Sequence, residues 1–137
     1  MTKLEIVKER LYKTNASLVV LYANGDVKEY CGKRVNDILS IIKENVDALD
    51  GAIVADKVIG KAAASLLTVS GVQEIYADTI SEYGKEVLDK NNIVYEYRMK
   101  TNYIQNNAKT GMCPMEEKFK DENDLEVIYE FFLNKEI

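Results

Sequence analysis

The sequence predicts an α/β domain, a three-layer sandwich in which helices cover both faces of a mixed five-stranded sheet. Short apolar runs alternate with helical patterns over residues 1–98, as expected for strands and helices in succession. An Asn24-Gly25 pair between the first two strands favours a tight antiparallel hairpin. The later strand–helix–strand units favour parallel strands joined by right-handed crossovers, so the sheet should be mixed.

The first half of the chain supplies a helix, the hairpin and a second helix. Thr2 and Glu5 have the spacing of a capping box, which predicts a helix at the N-terminus. Residues 17–22 are apolar without alternation, as in a central strand buried on both faces, and residues 27–30 are the return strand. Apolar residues at helical spacing then predict a helix over residues 35–45.

The second half alternates strand, helix, strand, helix and strand. A second capping-box pattern, Thr79 with Glu82, opens the later of these helices, and Gly71 ends the earlier one. The predicted ranges are 52–55, 58–69, 74–77, 79–91 and 93–97.

The C-terminal segment, residues 100–137, is polar and rich in asparagine before it reaches a last amphipathic helix. Residues 100–116 hold too few apolar side chains to order themselves, so the rest of the domain must hold them. The last helix carries Leu125, Ile128 and Phe132 on one face. We therefore expect the segment to pack over the sheet edge and the body of the domain.

Composition argues against a role on nucleic acids or membranes. The 137 residues form one domain, 1–137, and 47% of them are apolar. The net charge is −5 and the lysines are interspersed with acidic residues, whereas nucleic-acid binding requires clustered cations. No apolar run approaches the ~20 residues that span a bilayer, and the N-terminus lacks a signal-peptide core. Two cysteines are too few for a disulfide framework in a chain of this size, so the thiols are expected to be reduced. Reduced thiols are typical of cytoplasmic proteins, which is the location we expect.

The chain has no histidine, which excludes several kinds of catalytic site. Ser-His-Asp and Cys-His catalysis cannot be built within this chain. A zinc site without histidine would need three or four thiolates, and the chain has two cysteines. We therefore expect no metal and no cofactor.

The junction within residues 51–67 is the strongest indication of a site. Lys57 and Lys61 are four residues apart, so in the predicted helix both lie in the first turn, where the helix dipole disfavours cations. An anionic ligand or a fixed carboxylate would remove this conflict. Asp56 suits the N-cap of the helix, and Gly60 allows either close packing or the approach of a ligand.

A cysteine in the polar segment is the second indication. Cys113 precedes Pro114 and Glu116, a pattern that can begin a short helix at Cys113. The N-terminus of such a helix would lower the pKa of the thiol and make it more reactive. A base for thiol chemistry would have to be Lys61, Asp56 or Glu116, since histidine is absent. The alternative is that this stretch only anchors the tail.

An asparagine-rich stretch precedes Cys113. Asn106 suits either an ordered loop or an amide hydrogen bond to a ligand.

The order of elements resembles the cytidine-deaminase-like fold. Residues 56–64, which read Asp-Lys-Val-Ile-Gly-Lys-Ala-Ala-Ala, and residues 110–116, which read Thr-Gly-Met-Cys-Pro-Met-Glu, resemble an uncharacterised bacterial domain-of-unknown-function family. That family is assigned to the deaminase-like fold without the zinc ligands. The resemblance covers nearly the whole chain and implies no established activity.

The zinc ligands of deaminases are also missing when the motifs are compared. Deaminases place His or Cys, one residue, then Glu after the second strand, and Pro-Cys-x-x-Cys after the third. Here Cys31 could occupy the first ligand position, but Lys33 replaces the Glu, and residues 56–60 contain no cysteine. The resemblance therefore implies a deaminase fold with another use.

Two hypotheses for function follow. In the first, the protein binds a small anionic or nucleotide-like molecule, as a metal-independent enzyme or a sensor, with Cys113 and Lys61 as catalytic candidates. The candidate ligand-binding residues are Cys31, Lys33, Asp56, Lys57, Gly60, Lys61, Asn106 and Glu116. In the second, the domain is a non-catalytic regulatory or protein-interaction module. Nine tyrosines against three phenylalanines suit core or dimer contacts, so a homodimer is a further expectation.

Overall fold

Five strands and six helices make up the part of the chain that the structure, a computed structural model, describes: residues 1–33 and 35–134. In chain order they are α1 (Lys3–Lys13), β1 (Leu18–Leu21), β2 (Val27–Tyr30), α2 (Asn36–Glu44), β3 (Ile53–Ile59), α3 (Lys61–Val69), β4 (Glu74–Ser81), α4 (Glu82–Lys90), β5 (Val94–Thr101), α5 (Pro114–Phe119) and α6 (Leu125–Asn134).

The sheet has the strand order β2-β1-β3-β4-β5. Strand β1 is antiparallel to both β2 and β3, whereas β3, β4 and β5 are parallel. Gly25 has a φ of +97° and its amide donates to the carbonyl of Tyr22, which closes the hairpin between β1 and β2. The predicted α/β architecture with a mixed five-stranded sheet is confirmed.

Alternate residues of the central strands face two separate cores. Val19 and Leu21 pack with the apolar side of α1, whereas Leu18 and Val20 face the core that α2 to α6 build. The thicker layer is centred on α3, in which every residue from 61 to 67 is buried. Its small side chains allow α4, α5 and α6 to pack closely around it.

Strands β3, β4 and β5 extend further at their carboxyl ends than predicted. Strand β3 continues through Asp56 to Ile59, so α3 begins at Lys61 and not at residue 58. Strand β4 likewise continues to Ser81 and β5 to Thr101. The physical reason is that parallel ladder pairs extend each strand past the end of its apolar run.

The start of α4 also differs from the prediction. Its N-cap is Ser81, whose hydroxyl oxygen accepts a hydrogen bond from the amide of Gly84 at 3.1 Å. Thr79 is paired with Val58 in the sheet and is not available as a cap. The predicted capping box of Thr79 and Glu82 is therefore wrong, while that of Thr2 and Glu5 is confirmed.

The C-terminal segment packs on the layer of helices. Ile128 and Phe132 of α6 are fully buried, and Leu125 packs against the same core, so the predicted packing of this helix is confirmed. The Phe119 ring of α5 lies 6.0 Å from that of Phe132, between ring centroids. Among the described residues, no helix is both long enough and apolar enough to cross a bilayer.

Candidate functional site

A cavity of about 800 Å³ lies at the carboxyl ends of β3, β4 and β5, between the first turn of α3 and the loop that follows β5. We call it the strand-end cavity. Open α/β sheets bind ligands at this edge, because strand-to-helix turns leave a crevice there. A second depression, of about 630 Å³, lies at the far end of α3 against the start of α6. The strand-end cavity is the larger and is the one that the predicted residues surround.

The lining combines apolar walls with a polar rim. The apolar side chains come from strands, the loop and α5, and include Val58, Met99, Ile104 and Met115. The rim carries two cations and several amides, namely Lys33, Lys109, Asn102, Gln105, Asn106 and Asn107. Such a surface suits a ligand that has an apolar body and a few polar groups.

Glu116 holds the cavity together from the tail. Its Oε1 accepts hydrogen bonds from the amide of Lys61 at 2.6 Å and from the hydroxyl of Ser81 at 3.2 Å. Its Oε2 accepts one from the amide of Ile104 at 2.6 Å. We call this arrangement the Glu116 clamp, because one buried carboxylate joins the starts of α3 and α4 to the loop after β5.

Gly60 makes the Glu116 clamp possible. It is the N-cap of α3 and has no side chain to cap the helix, so Glu116 satisfies the amide of Lys61 in its place. A Cβ atom at Gly60 would lie 2.7 Å from Oε1 of Glu116 and 2.9 Å from a side-chain carbon of Ile104. Glycine is thus required by close approach.

The two lysines of the predicted helical turn lie in different environments. Lys57 belongs to β3, is exposed, and its amide donates to the carbonyl of Ser17. Lys61 is 5% exposed and its ammonium donates to the carbonyl of Lys120 at the end of α5, at 3.4 Å. Burial lowers the pKa of Lys61. The prediction that both lysines share the first turn is wrong, because β3 continues past Lys57.

Asp56 lies within β3 and does not cap α3. It is paired with Leu18 and Ala77 in the sheet and is 6% exposed. Burial raises the pKa of Asp56 to about 7, although hydrogen bonds from the amides of Val58 and Lys57 oppose the shift. The predicted N-cap is therefore wrong, and Asp56 lies outside the lining of the strand-end cavity.

Cys113 and Asn106 both line the strand-end cavity. Cys113 is 8% exposed, precedes α5 as its N-cap residue, and donates its amide to the carbonyl of Ile104 at 2.7 Å. The Asn106 side chain closes a turn with Thr110, accepting from its amide at 3.0 Å and donating to its hydroxyl at 3.1 Å.

Of the two predicted site residues that follow β2, only one lies at the cavity. Lys33 lines the cavity, whereas Cys31 is exposed at the end of β2 and lies outside the lining. The structure thus brings together Lys33, Gly60, Lys61, Asn106, Cys113 and Glu116, and leaves out Cys31, Asp56 and Lys57.

Sequence reasoning missed the residues that join distant segments. Ser81 and Ile104 complete the Glu116 clamp, and Met99 and Lys109 line the cavity. No local pattern marks them. The one available signal was the need for a carboxylate near the start of α3, which the sequence raised without identifying Glu116.

The comparisons with known proteins bear on the whole chain. The model of a domain of unknown function, DUF1893 (TM1506), matches residues 6–135. The chain belongs to the DUF1893 family. The crystal structure of a DUF1893 family protein (TM1506) from Thermotoga maritima at 2.70 Å resolution is similar to it, with a TM-score of 0.87 and 25% identity. That similarity covers 99% of this chain and 92% of the other. No curated protein matches this chain.

The DUF1893 match includes every element around the strand-end cavity. Residues 6–135 contain β3, α3, the loop after β5 and α5. The cavity and the Glu116 clamp therefore lie within the DUF1893 domain.

Proposed function

We propose that this DUF1893 protein binds a small molecule with an apolar body and an anionic group in the strand-end cavity. The observation that carries the proposal is the cavity of about 800 Å³, with apolar walls and a cationic rim, at the carboxyl edge of the parallel strands. Binding, and not a chemical step, is the activity that we assign.

The apolar body of the ligand is inferred from exposed side chains on the cavity wall. Val58 is 47% exposed and Met99 is 43% exposed, although both lie on strands of the central sheet. A ligand that covers them removes apolar surface from water at about 25 cal/mol per Å². Ile104 and Met115 extend the same wall.

The anionic group is inferred from the charges of the lining. Three lysines line the cavity, Lys33 and Lys109 on the rim and Lys61 buried, against one carboxylate, that of Glu116, which already accepts three hydrogen bonds in the clamp. In a chain of net charge −5, this leaves the rim cationic. The anion is expected at these lysines and not at the start of α3, because Glu116 occupies that position.

The contacts of the catalytic candidates support binding over catalysis. Lys61 donates its amide to Glu116 and its ammonium to the carbonyl of Lys120, so both of its polar groups serve the fold. Glu116 is likewise engaged as an acceptor on both oxygens. The alternative bases named for Cys113 are thus occupied or, for Asp56, outside the cavity.

We also infer that the domain is a cytidine-deaminase-like fold that does not use zinc and works in the cytoplasm. The order of helices and strands supports the fold. The residues do not fit a deaminase zinc, because Cys31 is exposed outside the cavity and the turn from β3 into α3 supplies no thiolate or imidazole. Elemental analysis of the purified protein should give well under one zinc per chain.

A thermal-shift screen tests the binding function. The probes are nucleoside monophosphates, aromatic carboxylates and phosphorylated sugars, and at least one class should raise the melting temperature by mass action. Met99→Trp should obstruct the cavity at its strand wall and reduce or remove the shift, whereas Val94→Trp, on the same strand but outside the cavity, should keep it. If Met99→Trp keeps the full shift, the ligand binds elsewhere and the proposal is wrong.

A second pair of variants tests the anionic group. Lys33→Ala combined with Lys109→Ala should weaken binding of the anionic probe roughly tenfold or more, with increasing salt having the same effect. Lys57→Ala is the matched control, because Lys57 is an exposed lysine outside the cavity. If Lys57→Ala weakened binding as much as the double variant does, the effect of charge would be non-specific.

A second candidate function is the non-catalytic regulatory or interaction module. The Glu116 clamp favours it, because residues 111–116 then have a sufficient role in fixing the tail. The same screen separates the two functions. A broad panel that produces no shift for the wild type favours the module.

A further inference from the structure

Strand β5 is a long, uncovered edge of the sheet. It has eight residues, and within residues 1–33 and 35–134 no strand pairs with its outer side. At roughly 3.3 Å per residue it offers about 26 Å of backbone amides and carbonyls. Proteins commonly protect such edges with proline, a bulge, charged side chains or a covering element. Strand β5 has no proline and keeps one register with β4 from Val94 to Thr101. It does carry Glu96, Arg98 and Lys100, and because these charges are of both signs they can pair across two copies.

Apolar side chains on β5 are exposed to an unusual degree for a strand. Val94 is 60% exposed and Tyr97 40%. Val94 and Tyr97 are three residues apart and therefore lie on opposite faces of the sheet, so one open face does not explain their exposure. A partner along the edge would cover both side chains at once.

Only one symmetric pairing of β5 gives complementary charges without placing like charges opposite each other. When two copies pair antiparallel about a twofold axis, opposed residues point to the same face, so the axis passes through a residue position. An axis at Glu96 places two glutamates opposite each other. An axis at Arg98 pairs Glu96 with the partner's Lys100 but places two arginines opposite each other, which is unfavourable. An axis at Tyr97 places Glu96 opposite the partner's Arg98, and the pairing occurs twice.

We propose that this protein forms a homodimer in which β5 of each copy pairs antiparallel about a twofold axis at Tyr97, making a continuous ten-stranded sheet. Tyr97 then meets Tyr97 of the second copy, and Tyr95 meets the partner's Met99. The interface is isologous, which closes the assembly at two copies. A free edge that would otherwise promote aggregation is thereby paired.

Arg98 is already held in position for such a pairing. Its Nε donates to Asp78 Oδ1 at 2.7 Å and its Nη2 to Oδ2 at 3.2 Å. A guanidinium has five N–H donors, so others are left for the partner's Glu96. Each arginine in the dimer would then lie between two carboxylates.

The dimer would also affect the strand-end cavity. Met99 lines that cavity and lies opposite the partner's Tyr95 in this register. The inference does not rest on ligand binding, because it follows from the edge, the exposure and the charges of β5 alone.

Charge reversal tests both the interface and its register. The wild type should have about twice the 15.5 kDa mass of one chain by light scattering after size exclusion. Glu96→Arg and Arg98→Glu should each weaken the dimer roughly tenfold or more, because each places like charges opposite each other twice. An equimolar mixture of the two variants should restore a heterodimer, since one chain then carries two cations and the other two anions.

Glu29→Arg is the matched control, because Glu29 is an exposed glutamate on β2, the opposite edge strand. It should leave the dimer intact. A wild type that stays monomeric at its highest soluble concentration overturns the proposal, as does a dimer that Glu96→Arg leaves unchanged. Failure of the folded variants to associate on mixing overturns the register at Tyr97.

Arg98→Glu also loses the hydrogen bonds to Asp78 and could fail to fold. A disulfide cross-link tests the same interface without that variant. In a Cys31→Ser background, Tyr97→Cys should form a disulfide between two copies under mild oxidation. Directly opposed residues in antiparallel strands have Cα atoms about 4.5–5.5 Å apart, within disulfide range. Val94→Cys should not cross-link, because six residues of offset separate the two copies by about 20 Å. Equal cross-linking of both would refute the pairing.

Discussion

Two buried carboxylates in this domain have opposite consequences for the fold. Glu116, at the carboxyl edge of the sheet, is 2% exposed and accepts from two amides and a hydroxyl on three separate segments. Asp56, further back within β3, is 6% exposed, and the hydrogen bonds it accepts come from the amides of the next two residues of its own strand. Donors from distant segments make a buried carboxylate stabilising, whereas few local donors leave its charge unfavourable.

The largest expected effect comes from removing the well-bonded carboxylate. Glu116→Ala leaves the buried amides of Lys61 and Ile104 without their acceptor, at about 1–3 kcal/mol each. We expect a loss of about 3–5 kcal/mol in the free energy of unfolding, measured by urea denaturation. Glu117→Ala is the control, because Glu117 is exposed on the same helix; it should cause no measurable change. Equal effects of the two variants would contradict the structural role of the clamp.

Replacing the other carboxylate, Asp56, is expected to raise the free energy of unfolding instead of lowering it. Burial raises the pKa of Asp56 to about 7 from 3.8, so between these values the folded state holds a proton that the unfolded state has released. Its contribution to stability is therefore greatest at low pH and is lost as the pH rises to about 7. Asp56→Asn cannot ionise and should be more stable than the wild type at pH 8 by about 2–4 kcal/mol.

The difference between Asp56→Asn and wild type should shrink as the pH is lowered toward 4, measured by denaturation at a series of pH values. Asp47→Asn, at an exposed aspartate, is the control for the pH dependence of the remaining groups. A constant difference across this range would mean that the protonation of Asp56 does not change on folding.

A smaller effect is expected where the backbone approaches the clamp. Gly60→Ala introduces a methyl group 2.7 Å from Glu116 Oε1, so the carboxylate must shift from the amide of Lys61. We expect the free energy of unfolding to fall by about 1–3 kcal/mol. Gly111→Ala is the control, since a Cβ atom there meets nothing within 4 Å. Comparable melting temperatures for both variants would indicate that the clamp tolerates displacement.

The smallest effect is expected from a single donor. Ser81→Ala removes one hydrogen bond to Glu116 and the N-cap of α4, and should lower stability by about 1–2 kcal/mol. Ser70→Ala is the control, because the buried Ser70 hydroxyl has no hydrogen-bond partner among the described residues. When the melting of both variants is measured by differential scanning calorimetry, Ser70→Ala should be neutral or slightly stabilising.

Several elements were predictable because their causes are local. The capping box of Thr2 and Glu5, the bounds of β2 and the apolar face of α6 all follow from side chains a few residues apart. The carboxyl ends of β3 and β4 were not predictable in this way. The polar pair Asp56-Lys57 suggests the end of a strand, but pairing with β4, about 20 residues away, continues it to Ile59.

The candidate site shows the same division. Gly60 and Glu116 were named from the sequence, and both line the cavity, but their relation was not foreseen. Ser81, Ile104 and Lys109 carry no pattern that separates them from ordinary polar or apolar residues. Their importance depends on the folding of the loop after β5 over the sheet edge.

By itself, the sequence determined the alternation of elements, the hairpin, the mixed sheet and the need to compensate a cation at the start of α3. It left two solutions for that compensation, an anionic ligand or a fixed carboxylate. Only the tertiary structure decided between them, because Glu116 is 55 residues from Lys61 along the chain. Helical periodicity and capping act over a few residues, whereas a hydrogen bond across that separation depends on how the whole tail packs.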